Sequence, residues 1–184
     1  TYYDTAGQQM ATLGGLAQAA PEQPSAIMPG LTNLQAALTH VTTHSDIGGH
    51  FFAPILEGTI PTGLLYTSVS GCLDFLVSAS PYYPIQYLYD YQMTACGEIE
   101  LPFDDYLADI TVPVLSLATA GGYGWLTHMT LGLIGSTDVT TTDVQLLPPE
   151  QVAFDLGHVD IWTAEDAPAL IWQPILEWIV EHSD

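Results

Sequence analysis

The hydrophobic pattern divides the chain near residue 108. Before that point, apolar residues recur at the spacing of a helix face. The spacing occurs at Met10, Leu13, Leu16 and Ala17, and again at Leu34, Ala37, Leu38 and Val41. Farther along, "PTGLLYTSVSG" predicts a strand and "CLDFLVSA" predicts a short helix. We therefore expect residues 1–108 to form a helical, loop-rich region.

The pattern after residue 108 is typical of an α/β core. Residues 110–118, "ITVPVLSLA", form a nearly continuous apolar and β-branched run, which predicts a strand buried on both faces of a parallel sheet. We expect a second strand at "QVAFDL", residues 151–156, in preference to "DVQLL". The final segment predicts an amphipathic helix that Pro174 kinks. Its apolar face comprises Leu170, Ile171, Ile175, Trp178 and Ile179.

An aromatic stretch, "PYYPIQYLYDYQMTACGEIELPFDDYL", separates the two regions. Its prolines interrupt any long regular element. Such a segment suits a lid over an apolar cavity, and it suits equally an irregular core that is filled with aromatic rings.

The charge of the chain restricts its partners. The sequence contains 21 acidic residues and no Lys or Arg. Three origins fit this composition: a fragment left by a protease that cuts after Lys and Arg, adaptation to an acidic or protease-rich medium, and design. The net charge of −21 excludes nucleic acid and anionic membranes as partners, whereas a basic partner chain fits it.

The two cysteines, Cys72 and Cys96, admit two interpretations. In a secreted chain such a pair predicts a disulfide bond, and otherwise it predicts two buried thiols. The composition favours an extracellular or periplasmic location, and therefore the disulfide.

The histidines of "HVTTHSDIGGH" have the spacing of zinc ligands in a family of proteases. His40 and His44 lie one helical turn apart, and a turn at the two glycines would return His50 to them. The protease mechanism needs a glutamate directly after the first histidine, where this chain has Val41. The glycine that makes the turn in that protease motif is also absent, because this chain has Ile47 in its place. The pattern therefore argues against a zinc protease and leaves a structural metal site or exposed histidines.

"VAFDLGHVD" carries the candidate catalytic base. A strand followed by Gly-His places an imidazole at the carboxyl end of a sheet, where α/β proteins build their sites. His158 is thus the candidate general base. A triad also needs an acid upstream, and we favour Asp138 over Asp143. Asp155 and Asp160 rank lower because immediate neighbours of a histidine usually point elsewhere.

The nucleophile is the weakest part of this pattern. No Gly-x-Ser-x-Gly occurs, and the nearest match is "SVSGC", centred on Ser70. The order Ser70, Asp138, His158 fits a hydrolase. The parallel strands that should precede such a serine are not visible in residues 1–62, so a turn serine is the favoured interpretation.

Four stretches together resemble the C-terminal part of the α/β-hydrolase fold family. They are "ITVPVLSLATAGG" as the strand before the acid loop, "STD" as that loop, "VAFDLGHVD" as the histidine turn and "APALIWQPILEWIVEH" as the closing helix. The resemblance covers residues 108–183. It implies an α/β fold in which residues 109–184 form the C-terminal part of an α/β-hydrolase sheet and residues 1–108 form a helical, aromatic-rich lid. The family's nucleophile elbow and oxyanion-hole loop are not visible.

The resemblance implies a serine hydrolase that acts on a small apolar acyl or ester substrate. His158 would be its general base and acid, and Asp138 would orient the imidazole. The nucleophile would lie on a separate N-terminal fragment of the same precursor. No metal or organic cofactor is implied. The alternative is a non-catalytic, acidic, secreted binding domain on the same scaffold.

Overall fold

The computed structural model describes residues 3–4, 6–44, 48–79, 83–84 and 106–183. The chain divides into two compact units. The first unit comprises Thr1–Ala37 and Cys72–Leu107, and the second comprises Leu38–Gly71 and Ala108–Asp184. Residues 38–71, which the sequence pattern placed in the N-terminal region, thus belong to the same unit as the C-terminal segment.

The described residues form helices and short strands. The α-helices are α1 (Ala6–Ala19), α2 (Asn33–Thr42), α3 (Val69–Val77), α4 (Gly124–Leu131), α5 (Asp160–Thr163) and α6 (Gln173–Glu181). The strands are β1 (Tyr3–Asp4), β2 (Pro54–Glu57), β3 (Ile60–Leu64), β4 (Tyr83–Pro84), β5 (Val114–Thr119) and β6 (Val139–Val144). Leu107–Asp109 and Pro149–Phe154 are 3₁₀-helical, and Pro168–Trp172 is π-helical. In these ranges no helix combines the length and hydropathy needed to cross a membrane.

Helix α2 begins with a capping box. The Thr32 backbone N–H donates to Gln35 Oε1 at 2.9 Å, and the Gln35 N–H donates to Thr32 Oγ1 at 3.2 Å. This reciprocal pair satisfies two N–H groups that have no partner within the helix, so it fixes the start of α2 locally. Helices α1 and α2 lie where the hydrophobic spacing predicts helices. Helix α3 overlaps the predicted short helix "CLDFLVSA", but it begins earlier, at Val69, within the stretch that predicted a strand.

Helix α1 packs closely against α3 at a glycine. A Cβ atom on Gly14 would lie 2.8 Å from Leu76 Cβ and 3.1 Å from the Val77 nitrogen. The glycine therefore permits the two helix backbones to approach, at the cost of helix propensity within α1. Gln18 adds a hydrogen bond across the same contact, from Nε2 to Asp74 Oδ1 at 2.8 Å.

The second unit contains a parallel strand pair covered by helices. Strands β5 and β6 pair in parallel from Val114↔Val139 to Thr119↔Val144. Side chains alternate between the two faces of the pair. On one face, Gly124 of α4 lies against Ala118. On the other, Trp178 of α6 donates from Nε1 to Thr140 Oγ1 at 3.0 Å. The fold is therefore of mixed α and β type, with a parallel pair between helices.

The position of the second strand differs from the prediction. Strand β6 is "VTTTDV", whereas "QVAFDL" lies in the 3₁₀ helix Pro149–Phe154 and the turn after it. Pro148 and Pro149 explain the difference, because Pro149 has no N–H to donate to a ladder and its fixed φ suits the first turn of a helix. The threonines of β6 are β-branched and alternate in exposure, as in a half-covered strand.

The C-terminal helix is irregular at the place that its proline predicts. The π-helical segment Pro168–Trp172 runs directly into α6, and Pro174 lies in the first turn of α6. A proline there cannot donate to the preceding turn, which accounts for the change in helical pitch.

Two predictions concern residues that the structure does not describe. Cys72 is buried on α3, but Cys96 lies outside the described residues, so the disulfide stays a prediction. Most of the aromatic stretch, residues 85–105, also lies outside them, and the lid stays a prediction as well.

Candidate functional site

The turn that carries His158 is held at the carboxyl end of β5. The Gly121 N–H donates to the Leu156 carbonyl at 3.0 Å, and Thr119 Oγ1 donates to the Gly157 carbonyl at 3.0 Å. The His158 N–H donates in turn to the His50 carbonyl at 2.9 Å. The prediction placed His158 at the end of a strand "QVAFDL"; that segment is a 3₁₀ helix and a turn, and the turn lies instead at the carboxyl end of β5.

Glycine makes this close approach possible. A Cβ atom on Gly122 would lie 3.0 Å from the His158 nitrogen and 2.6 Å from Thr119 Oγ1. Any larger residue would push the histidine turn away from the end of β5. The turn that carries His158 thus packs directly against the loop "AGGYG".

Asp160 ties the turn to two other segments. Its carboxylate is fully buried. It accepts hydrogen bonds from Ala53 N at 2.9 Å, from Gly157 N at 2.8 Å and from Thr67 Oγ1 at 2.7 Å. Burial raises the pKa of Asp160, and these three donors oppose that rise.

Asp155 plays a similar part on the other side of the turn. Its buried carboxylate accepts the backbone N–H groups of Leu146, Leu147 and Leu156 at 2.8–3.2 Å. The segment after β6 and the His158 turn are therefore joined through one side chain. The chain has no Lys or Arg to pair with a buried carboxylate. Hydrogen bonds from backbone N–H groups stabilise the buried negative charge instead.

The His158 ring lies at the edge of an open cavity. The cavity has a volume of about 360 Å³, and Tyr123, Thr127, Ile161 and Trp162 are among its lining residues. The Tyr123 ring meets the His158 ring edge-on, with centroids 5.4 Å apart. Solvent reaches the imidazole, yet the surrounding protein removes enough water to lower its pKa. His158 is therefore available as an unprotonated base at neutral pH.

Neither predicted acid contacts His158. Asp138 precedes β6, where its carbonyl accepts the Val114 N–H at the start of β5. His158 lies beyond the opposite end of β5, about 16 Å away by the rise of an extended strand. The Asp138 carboxylate lies instead 3.7 Å from His182 Nε2. The structure therefore does not bring Asp138 and His158 together.

Asp143, the second choice for the acid, is also paired elsewhere. Its Oδ1 lies 2.9 Å from His128 Nε2 on α4. One such pair lies on each face of the strand pair. His128–Asp143 joins α4 to one face, and His182–Asp138 joins the end of α6 to the other. In each pair the aspartate is exposed and the histidine is partly exposed, so each pair contributes little to stability.

Ser70 lies at the exposed start of α3. Its hydroxyl lies 3.2 Å from Ser68 Oγ, and the described residues show no histidine in contact with it. Ser68 Oγ also accepts the Gly71 N–H at 3.1 Å, as in a helix cap. Ser70 thus occupies a helix start, with no catalytic contact in the described residues.

Two of the three histidines of "HVTTHSDIGGH" contact backbone carbonyls. His50 Nε2 donates to the Asp155 carbonyl at 3.0 Å, and His44 Nε2 lies 3.2 Å from the Ala153 carbonyl. Their ring centroids are 4.8 Å apart. Across residues 3–4, 6–44, 48–79, 83–84 and 106–183, no group of three or more His, Cys, Asp or Glu is arranged to hold a metal ion.

The buried state of His50 predicts a pH-dependent stability. Burial lowers the pKa of His50 to about 4, against 6.5 for the free side chain. As pH falls below 6.5, the His50 imidazole therefore becomes protonated in the unfolded chain but stays neutral in the folded chain. The free energy of unfolding decreases as a result. We expect the free energy of unfolding to fall by about 2 kcal/mol between about pH 7 and about pH 5 through His50. The lowered pKa values of His40 and His158 act in the same direction.

Urea unfolding across this range measures the effect. His50→Gln can still donate to the Asp155 carbonyl but does not titrate, so it should flatten most of the slope. The raised pKa of Asp160 acts in the opposite direction, and it does so in both proteins, so the comparison with the variant isolates the His50 imidazole. An equal slope in the variant would contradict the assignment to His50.

Sequence reasoning missed three parts of the site. Asp155 and Asp160 were ranked low as acids, and they act as acceptors for backbone N–H groups instead. Tyr123, which packs on His158, lies in the glycine-rich loop after β5. An aromatic residue directly after two glycines at a strand end was the available signal.

Comparison of the chain with protein-family models, with curated proteins and with solved structures finds no match. The geometry of the described residues and the sequence pattern are thus the basis for any functional proposal.

Proposed function

We propose that this chain is the C-terminal half of an α/β-hydrolase and supplies the general base of an acyl-hydrolysis site, with His158 as that base. One observation carries the proposal: an accessible imidazole with a lowered pKa lies at the carboxyl end of a parallel strand, beside a cavity. A base of this kind removes a proton from an attacking hydroxyl and then protonates the leaving group.

The nucleophile belongs to a second polypeptide in this proposal. Among the described residues, no serine or cysteine lines the His158 cavity. The absence of Lys and Arg from the whole sequence supports a precursor cut at basic residues, which would leave the nucleophile on the N-terminal piece. The substrate class is a small apolar acyl ester, in keeping with the apolar and aromatic lining of the cavity.

Asp138 has no role in orienting His158 in this form of the proposal, because its carboxylate lies at the other end of β5. Aromatic packing orients the ring instead, through Tyr123 and through Phe51, whose ring centroid lies 6.3 Å away. A histidine without a carboxylate partner is a weaker base in acyl transfer, so we expect slow turnover.

The second candidate is a non-catalytic, acidic binding domain. One observation favours it: in the described part of the chain, no carboxylate contacts the His158 side chain. Both candidates predict the same fold, and they differ in whether a reactive nucleophile lies beside His158.

Labelling with a fluorophosphonate separates the two candidates. The protein is purified from its source without denaturation, treated with the reagent, denatured, and every polypeptide is weighed. We expect the label on a second chain that copurifies with this one, because the reagent modifies only a serine that a base activates. An unlabelled preparation would contradict the hydrolase proposal and favour the binding domain.

A further inference from the structure

One edge of strand β5 has no strand beside it in the described part of the chain. The Val114 N–H donates to the Asp138 carbonyl, and the Ala120 N–H donates to the Val144 carbonyl. Even-numbered residues of β5 therefore direct their backbone groups toward β6, and odd-numbered residues direct theirs the other way. The N–H and C=O groups of Leu115 and Leu117 thus point toward the open edge, where the described residues place no partner strand.

An apolar groove runs along this part of β5. It has a volume of about 500 Å³ and is lined by Leu115, Leu117, Ile161, Trp162, Trp178 and Ile179, among others. Trp162 is 59% exposed and Ile179 is 49% exposed. Parallel strands are normally covered on both faces, and open strand edges are normally blunted by charge or proline. An apolar edge that no described residue range pairs or covers marks a site for another chain.

Leu117, Ile161 and Trp162 also line the His158 cavity. The groove and the cavity therefore share part of their lining.

The charge of the chain decides between possible occupants. A second copy would bring two chains of net charge −21 together, and neither has a Lys or Arg to offset the repulsion. Helix α6, which forms one wall of the groove, carries the exposed Glu177 and Glu181. A basic chain would gain from the same field that repels a second copy.

We propose that the open edge of β5 and its groove bind an apolar β-strand of a separate, basic polypeptide by strand addition. The backbone groups of Leu115 and Leu117 hydrogen-bond to that strand, and its side chains fill the groove. Its identity as the chain that carries the nucleophile rests on the proposed function, whereas the docking itself does not.

A synthetic peptide tests the docking. The probe alternates Val and Thr over seven residues and has two lysines at each end, and its counterpart has glutamates in place of the lysines. At saturation with the lysine peptide, we expect hydrogen exchange at the Leu115 and Leu117 amides to slow by about tenfold or more. The Ser116 amide already points toward β6 and should change little. Absence of binding, or binding that leaves the Leu115 and Leu117 amides unprotected, would overturn the proposal.

Two further experiments test separately how the charge of the peptide and the apolar groove contribute to binding. The glutamate peptide should bind at least about tenfold more weakly at low salt, since the chain repels it. Ile179→Glu places a charge in the groove and should weaken binding of the lysine peptide by about tenfold or more, because the apolar contact is lost. Met129→Glu changes an exposed residue of α4 that does not line the groove, and it should bind normally. Equal binding by the two variants would place the peptide elsewhere and overturn the proposal.

The docking and the proposed function fail in different ways. Peptide binding without fluorophosphonate labelling would support the docking proposal and contradict the hydrolase proposal. Labelling without peptide binding would support the hydrolase proposal and contradict the docking proposal.

Discussion

Replacement of His158 by alanine should lower the rate of acyl hydrolysis by the native assembly by about 1,000-fold. The imidazole is the only general base that the proposal assigns, and its removal leaves the nucleophile protonated. The expected loss is in kcat, because the ring lies beside the cavity and need not contribute to substrate binding. Steady-state hydrolysis of a short-chain acyl ester by the reconstituted assembly measures it.

A second histidine provides the matched control for this experiment. His128 is partly exposed and pairs with Asp143 on the surface. His128→Ala removes an imidazole that is not among the residues lining the cavity, although its neighbour Thr127 is, so the rate should stay within about twofold. A loss of less than about tenfold in His158→Ala would contradict the assignment of the base.

The second large effect concerns stability. Asp160→Ala should lower the free energy of unfolding by about 4 kcal/mol, because it leaves the buried N–H groups of Ala53 and Gly157 and the Thr67 hydroxyl without their acceptor. Asp160→Asn keeps one carbonyl oxygen and should cost about half as much. Urea unfolding at neutral pH measures both variants.

Asp166 is the control for Asp160. It is an exposed carboxylate in the loop that follows α5. Asp166→Ala should therefore change the free energy of unfolding by less than about 0.5 kcal/mol. If Asp160→Ala cost no more than Asp166→Ala, the buried carboxylate would not be holding the His158 turn.

Local signals in the sequence predict some of the regular elements of the chain. Helical spacing locates α1 and α2, and the apolar run before residue 119 locates β5. These features depend on residues close together in the chain.

Features that depend on distant residues were not predicted. The threonines of β6 are less apolar than "QVAFDL", and only pairing with β5 shows that they form the strand. Asp138 was favoured as the acid by its distance along the chain from His158, but β6 carries it to the opposite end of the sheet. The roles of Asp155 and Asp160 depend on backbone N–H groups from distant segments, which no sequence pattern displays.

The most direct test of a split hydrolase is the mass of the polypeptide that the fluorophosphonate labels in the native assembly. We predict label on a second, basic chain in the wild-type preparation, and loss of that label when the assembly carries His158→Ala. Label on this chain, or label on the second chain that persists without His158, would contradict the central claim.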